Sequence, residues 1–403
     1  MPKGANPGDP KHRGKGRGGG VEDGTIAVVD GVMHLFPTEL GNCSAKEDAN
    51  NPAGGVAGCE VYYYWHTRVG HWTAPTTARL NWTRHEPITP RSGLDGCAST
   101  TAIERQHHNE YWSGSPQWDE ATARWFITYV GYNQQCVAGR GNGGDGRILI
   151  ARSEVAGRRG IGGPYTELAN VTAVGGILNR TNAQPWEAWA LEGADLAERL
   201  ADCGIAEFSP SLHSALPDDP PHRLWAFYGS SGNMNKTQNP SPSIPWAVGQ
   251  CYSDHGVLGP WVRHPKNPLP FGGGIENPLV MRAKCGIYLL IYANNRLGPS
   301  LGFGFGWSKD GVNWQNNTGA GPDAGLEDYV LSPAPFPHQS VRTPLALVEH
   351  EDRRGYFTFF FTAFENQHAE GYQKQGLHPP NVPHEQYEAM YASEMQLVVE
   401  RKI

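Results

Sequence analysis

Two acidic steps lie far apart in this 403-residue chain: Glu22-Asp23, in front of "GTIAVVDGVMHLF", and Glu276, in "GGGIENPLVMRAKCGIYLLIYANN". Two carboxyl groups facing one cavity suit the cleavage of glycosidic bonds. One, kept protonated, gives its proton to the leaving oxygen, while the other activates water or attacks carbon. Glu276 stands between the apolar Ile275 and Leu279–Val280, where burial would favour the protonated form and the acid role. Asp23 is then the base. Taken alone, a Glu one residue away from a proline is a solvated loop residue, so the chemistry depends on what brings the two acids together.

The chain supplies a repeat that does so. Segments beginning at Glu22, Gly114, Phe208, Ile275 and Val341 share one plan: a small or polar residue with Pro (Gly24 in the first), a few residues, a polar turn and an aromatic-rich strand. Each reads as a strand, a hairpin and a second strand. Between them recur "ARSEVAGRRGIGGPYTEL", "CYSDHGVLGPWVRHPKNPL" and "GWSKDGVNWQNN", with a looser version, "WHTRVGHWTAPTTARLNWTRHEPI". These share a Ser, an acidic turn, a Gly and a closing aromatic, and read as outer hairpins. Inner and outer hairpins in alternation give four strands per unit and predict an all-β, five-bladed β-propeller around a central channel. A two-sheet sandwich offers no reason for a fivefold recurrence.

The predicted propeller spans 21–403, with a short helical insertion near 185–204 and a C-terminal strand, "YEAMYASEMQLVVER", that closes onto the first blade. Residues 1–20, basic and rich in Gly and Pro, read as a disordered tail without the apolar core of a secretion signal. The 51 Gly and 32 Pro agree with short strands and tight turns. A net charge of −7 gives no reason to expect nucleic acid or an anionic membrane as partner, and no apolar run is long enough to cross a bilayer. The seven cysteines form no CxxC pair, which argues against a zinc knuckle. Six N-x-[ST] sequons, at Asn42, Asn81, Asn170, Asn179, Asn235 and Asn316, point to a secreted or luminal glycoprotein.

In a propeller the first strand of each blade lines the channel. The residues at the five steps, Glu22/Asp23, Gly114/Ser115, Phe208/Ser209, Glu276/Asn277 and Arg342/Thr343, therefore converge. Arg342 is a candidate fork for a uronic or sulfated sugar, or else a partner for a channel carboxylate. Ser115, Ser209, His108 and Trp112 complete the expected substrate-binding set. Tyr111, Trp118 and Trp246 are further candidates for stacking on sugar rings, although inter-sheet packing is the usual task of such aromatics. His107, His213 and His338 also fall near the expected rim.

An acid before "VVDGVMHLF", together with "IENPLVMRAKCGIYLLIY", resembles the five-bladed propeller clan of glycoside hydrolase family 43 over most of 21–365. The resemblance implies Asp23 as general base and Glu276 as general acid. It also implies a third carboxylate that tunes the acid, at a position where this chain has Ser209, unless Glu207 or Asp254 reaches in. Gly24 departs too, standing where the family has Pro. The expectation is a glycosidase that acts on a poly- or oligosaccharide, as a monomer and with no required cofactor, the channel leaving room for a structural calcium ion. The rival is a catalytically silent carbohydrate-binding propeller, which the Ser209 departure favours. A protein-binding scaffold lacks the regular Trp-Asp repeats such propellers carry.

Overall fold

The protein is seen here as a computed structural model that describes residues 19–40, 68–88, 110–132, 147–168, 184, 186, 205–213, 219–220, 223–230, 247–271, 274–294, 303–316, 329–331, 340–364 and 387–397. Among them the secondary structure is almost entirely strand, with one short 3-10 turn at Arg158–Gly162. The helix expected near 185–204 lies outside the described residues except for Trp186, as do His107, His108, Trp246 and His338.

The chain opens with β1 (Gly19–Glu22), β2 (Ile26–Val29), β3 (Val32–Leu35), β4 (Thr38–Leu40), β5 (Arg68–Val69), β6 (Trp72–Pro75) and β7 (Thr83–Arg84). Strands β2-β3-β6-β7 form the first sheet, in that order. The second holds β8 (Glu110–Asp119), β9 (Arg124–Tyr132), β10 (Arg147–Ser153) and β11 (Tyr165–Glu167). The third holds β12 (Ile205–His213), β13 (Leu224–Ser230), β14 (Ala247–Ser253) and β15 (Val262–Arg263). In the fourth, β16 (Ile275–Arg282), β17 (Tyr288–Asn294), β18 (Phe303–Ser308) and β19 (Trp314–Asn316) are joined by β20 (Tyr329–Leu331) on β18. The last, β21 (Ser340–Glu349), β22 (Tyr356–Phe364) and β23 (Tyr387–Gln396), continues through β1, β4 and β5 to six strands. The expected four strands per unit is thus exceeded in the last two sheets. β1 also starts at Gly19, inside the segment assigned to the N-terminal tail, and pairs in parallel with β23. All other pairings are antiparallel, and the step strands β8, β16 and β21 join their partners through short hairpin turns.

Every sheet starts with a step strand at its edge: β2, β8, β12, β16 or β21. The strands behind are apolar on both faces because each sheet packs between two others. Ile148, Ile150, Ala226 and Tyr228 join the second and third sheets, and Phe227, Trp225, Ile275 and Leu290 the third and fourth. Ile291, Phe303, Phe359 and Phe361 join the fourth and fifth. Met33, Leu35 and Trp72 then meet Val21, Phe360 and Met390, which brings the last sheet onto the first. Val29 and Phe36 pack with Trp118 and Ile127 of the second.

A candidate carboxylate site at the strand edges

Three of the step strands carry an irregularity at the same place. The register of β8 shifts between Trp112 and Ser115, that of β16 between Glu276 and Leu279, and that of β21 between Val341 and Pro344. An extra residue in one strand of a pair bends it and re-aims the side chains beside it. The shifts in β8 and β16 each hold a residue with left-handed backbone, Ser113 with φ 59° and Asn277 with φ 56°. Asp23, between β1 and β2, does the same with φ 48°. Outside glycine this region costs energy, and clusters of it mark sites whose geometry is over-determined by their surroundings.

The three strained residues hydrogen-bond to one another. Ser113 Oγ donates to Asp23 Oδ2 at 3.2 Å, and Asn277 Nδ2 donates to Asp23 Oδ1. The Asp23 amide donates to Thr343 Oγ1 at 3.1 Å, and Thr343 is itself linked to Thr362 at 2.8 Å. Gly24 follows with φ 93°, and a Cβ there would lie 2.2 Å from the Phe36 carbonyl oxygen. That is why the chain departs from Pro at this position: a ring that fixes φ near −65° cannot make this turn.

On the other side of the cluster stands Arg342. Its Nη2 lies 2.5 Å from Glu22 Oε1, and its Nη1 donates to Glu276 Oε1 at 2.7 Å. Glu22 is fully buried, and neither of its oxygens accepts a hydrogen bond of good geometry despite the close ion pair. Burial pushes Glu22 up to about 6, with Arg342 opposing and Glu276 reinforcing. Asp23 is pushed well above the usual carboxylate range, first by burial and then by Glu22; Arg342 opposes, Glu276 adds, and the Ser113 hydrogen bond opposes. Glu22 and Asp23 are thus both held above the usual carboxylate range in spite of Arg342.

A small cleft opens beside the cluster, lined by Asp23, Thr25, Ser113, Asn277, Leu279 and Pro344 among others. Ser115 is buried and accepts from Thr25 at 3.3 Å. Trp112 is buried immediately before the β8 shift, while Tyr111 and Trp118 pack in the core against Tyr129 and Trp125. Ser209, Glu207 and His213 lie on β12, whose backbone alone is described, and His108 lies outside the described residues. Asp254 is held by Arg223 at 2.6 Å. Among the described residues no group of three or more His, Cys, Asp or Glu is placed to hold a metal ion.

The structure therefore gathers Asp23, Glu276, Arg342 and Ser115 from three sheets and the turn after β1. The sequence reading missed Ser113, which has no Pro to mark it, and the coupling of Glu22 to Arg342, which no local pattern announces.

No family model matches the chain, and no curated protein does. Solved structures do. One described as a glycoside hydrolase superposes with a TM-score of 0.54 at 14% identity, over 99% of this chain and 92% of the other. A family 117 glycoside hydrolase of the marine bacterium Zobellia galactanivorans gives 0.50 at 13% identity, over 92% and 84%. A thermostable family-43 glycoside hydrolase gives 0.50 at 12% identity, over 96% and 92%. At this level of identity the likeness is one of architecture: the chain has the all-β fold found in glycoside hydrolases of families 43 and 117.

Proposed function

We propose that the protein is a glycoside hydrolase, with five blades around a central channel and Asp23 and Glu276 as its catalytic pair. The observation that carries this is the convergence of the two carboxyl groups, from distant parts of the chain, on one buried cluster beside a cleft. The propeller is supported by the five sheets, each edged by a step strand, and by cores that join each sheet to the next and the last to the first. The substrate is a poly- or oligosaccharide.

In the reaction Glu276 gives its proton to the glycosidic oxygen as the bond from that oxygen to the anomeric carbon breaks. A water attacks the anomeric carbon, and Asp23 takes the proton that the water loses. The products are a reducing sugar and an alcohol, and the proton gained by Asp23 replaces the one lost by Glu276 once it returns through solvent. Asp23 must be ionised to accept. Its donors Ser113 and Asn277 favour that form and burial opposes it, so the acid limb of the rate profile belongs above the ordinary carboxylate range.

The silent carbohydrate-binding reading is favoured by one observation: in the unliganded site both carboxyl groups are committed, Asp23 to two donors and Glu276 to Arg342. Leaving-group dependence separates the two readings. Glu276→Gln should cut hydrolysis of substrates with poor leaving groups by about 100-fold or more and spare an activated aryl glycoside. Asp23→Asn should abolish turnover of both. Unchanged turnover in both variants removes the pair from catalysis; tight glycan binding without cleavage across a broad panel makes the binding reading the better one.

A further inference from the structure

The irregularity in β21 is a bulge: Val341 pairs with Ala363 and Pro344 with Phe361, so Arg342 and Thr343 together oppose Thr362. Two residues against one bend the strand and turn its side chains towards neighbours that a regular ladder would not reach. Thr362 closes the gap with its side chain. Its Oγ1 accepts from the Thr343 amide at 3.1 Å and lies 2.8 Å from the Thr343 hydroxyl. Both threonines are 0% exposed, so neither hydroxyl can turn to solvent.

From this bulge the Thr343 hydroxyl accepts the amide of Asp23 at 3.1 Å, a residue 320 positions away in the chain. Asp23 and Gly24 are both left-handed, with φ 48° and 93°, and for an aspartate that backbone is costly. The two ends of Asp23 are held separately: its carboxyl group by Ser113 and Asn277, its peptide by Thr343. Donors to the carboxyl group do not by themselves stop the peptide from relaxing to an ordinary conformation, and that change would re-aim the side chain. Arg342, the other residue of the bulge, donates to Glu276. One short piece of backbone therefore touches both acids of the proposed pair.

We infer that Thr343 is a positioning residue for the base: its hydroxyl holds the Asp23 peptide in the left-handed turn, and the β21 bulge thereby sets where the Asp23 carboxyl group stands relative to Glu276. This rests on the reading of Asp23 as the base. Thr343 does not line the cleft, so it acts through Asp23.

The test compares Thr343→Val, which keeps the shape and removes the acceptor, with Thr343→Ser, which keeps the acceptor, each shown folded by circular dichroism. Substrates are the methyl and 4-nitrophenyl glycosides of a sugar the unmodified protein cleaves. Thr343→Val should lower kcat about 10- to 100-fold, the scale of a misplaced catalytic group, with KM changed by less than about twofold. The loss should be equal on the two glycosides, because a better leaving group does not replace a misplaced base. Thr343→Ser should keep most of the activity. An unchanged kcat in Thr343→Val, a loss in Thr343→Ser as large as in Thr343→Val, or a loss confined to the methyl glycoside overturns the inference. If Thr343→Val does not fold, Thr343→Cys replaces it in the same comparison, since it matches Ser in size and its sulfur is a weak acceptor. Hydrogen exchange at the Asp23 amide reads the hold without any substrate. It should be about tenfold faster or more in Thr343→Val than in the unmodified protein and in Thr343→Ser, and equal rates in all three overturn the inference. If the unmodified protein cleaves no glycoside, the reading of Asp23 as base fails and takes the positioning role with it, while the exchange rates still decide whether Thr343 holds the turn.

Discussion

Asn277 shows how a single side chain can be kept against its own backbone preference. At φ 56° it occupies a conformation that glycine adopts at little cost, and its amide donates to Asp23. Asn277→Gly should therefore leave stability unchanged or raise it by up to about 1 kcal/mol, since the strain is relieved. Activity should move the other way. Losing a donor to the charged form pushes Asp23 further up, so the acid limb of the kcat/KM profile should shift to higher pH. Thermal unfolding and a pH–rate profile measure the two effects; a variant that is destabilised with its profile unmoved would show Asn277 to be purely structural. The type of this residue was readable in the sequence, as was its place beside Glu276. Its partner was not, because Asp23 lies in the turn after β1, 254 residues away in the chain.

At the scale of elements, the recurring phrase with Ser, an acidic turn and a closing aromatic has one physical cause. Ser153, Ser253 and Ser308 end β10, β14 and β18, the third strand of their sheets, and all three are buried. Ser308 Oγ accepts from the amides of Asp310 and Gly311, Ser253 Oγ accepts from His255, and Ser153 Oγ accepts from Val155 while donating to Gly160. Each hydroxyl closes its turn, the kind of local bond that these residues favour. The aromatics bond as well as pack: Trp261 donates to the Val257 carbonyl and Tyr165 to that of Ile161. Elsewhere an element depends on a buried charge. Glu39 of β4 is 1% exposed and accepts from Arg68, Arg84 and Trp72 at 2.7–2.9 Å, tying β4 to β5, β6 and β7. Glu39→Gln strands two arginines that can partly reach solvent, so the loss should sit near the low end for a broken buried pair, about 3 kcal/mol. Urea unfolding measures it, and a loss below about 1 kcal/mol would place this carboxylate among ordinary surface ion pairs. Close approach supplies a third case. A Cβ at Gly304 would lie 2.0 Å from the Tyr292 ring, so Gly304→Ala should destabilise by about 1–3 kcal/mol through overpacking between β17 and β18.

Titrating groups of opposite sense set how the whole molecule responds to acid. His34, His71 and His85 stack in the first sheet, with centroids 5.4 and 4.8 Å apart, and Phe36 lies on His71 at 4.9 Å. Burial, then the neighbouring imidazoles, push His71 down to about 3 and His34 to about 4. The unfolded chain therefore binds more protons below 6.5, the ordinary value. Stability from this stack is complete above 6.5 and is lost as pH falls through 4 towards 3. Glu22 runs in the opposite sense: raised from 4.5 to about 6, it stabilises below 4.5 and that contribution is lost as pH rises through 6. Asp23, pushed well above the usual carboxylate range, acts in the same sense as Glu22, so the stack is read by difference: His71→Gln should lose less stability than the unmodified protein as pH falls from 6.5 towards 4. An unfolding midpoint series from pH 4 to 8 decides this; the same slope in both proteins would acquit the stack. Closure is the other property of the whole. β23 covers the edge of β22 and pairs with β1, so removing 387–403 should expose an unpaired edge and cause aggregation.

The sequence by itself determined the local grammar: which segments are strands, where hairpins turn, and which five strands carry a step that breaks the pattern. Those are short-range facts of apolar alternation, Gly and Pro placement and hydroxyl-closed turns, and they were enough to single out Asp23, Glu276 and Arg342. Tertiary structure decided the partners. That Arg342 lies between Glu22 and Glu276, that Ser113 and Asn277 grip Asp23, and that β1 is shared with the last sheet all depend on contacts between residues far apart in the chain. Such contacts leave no periodic trace in one sequence, because a carboxylate looks the same whether its cation is four residues away or three hundred.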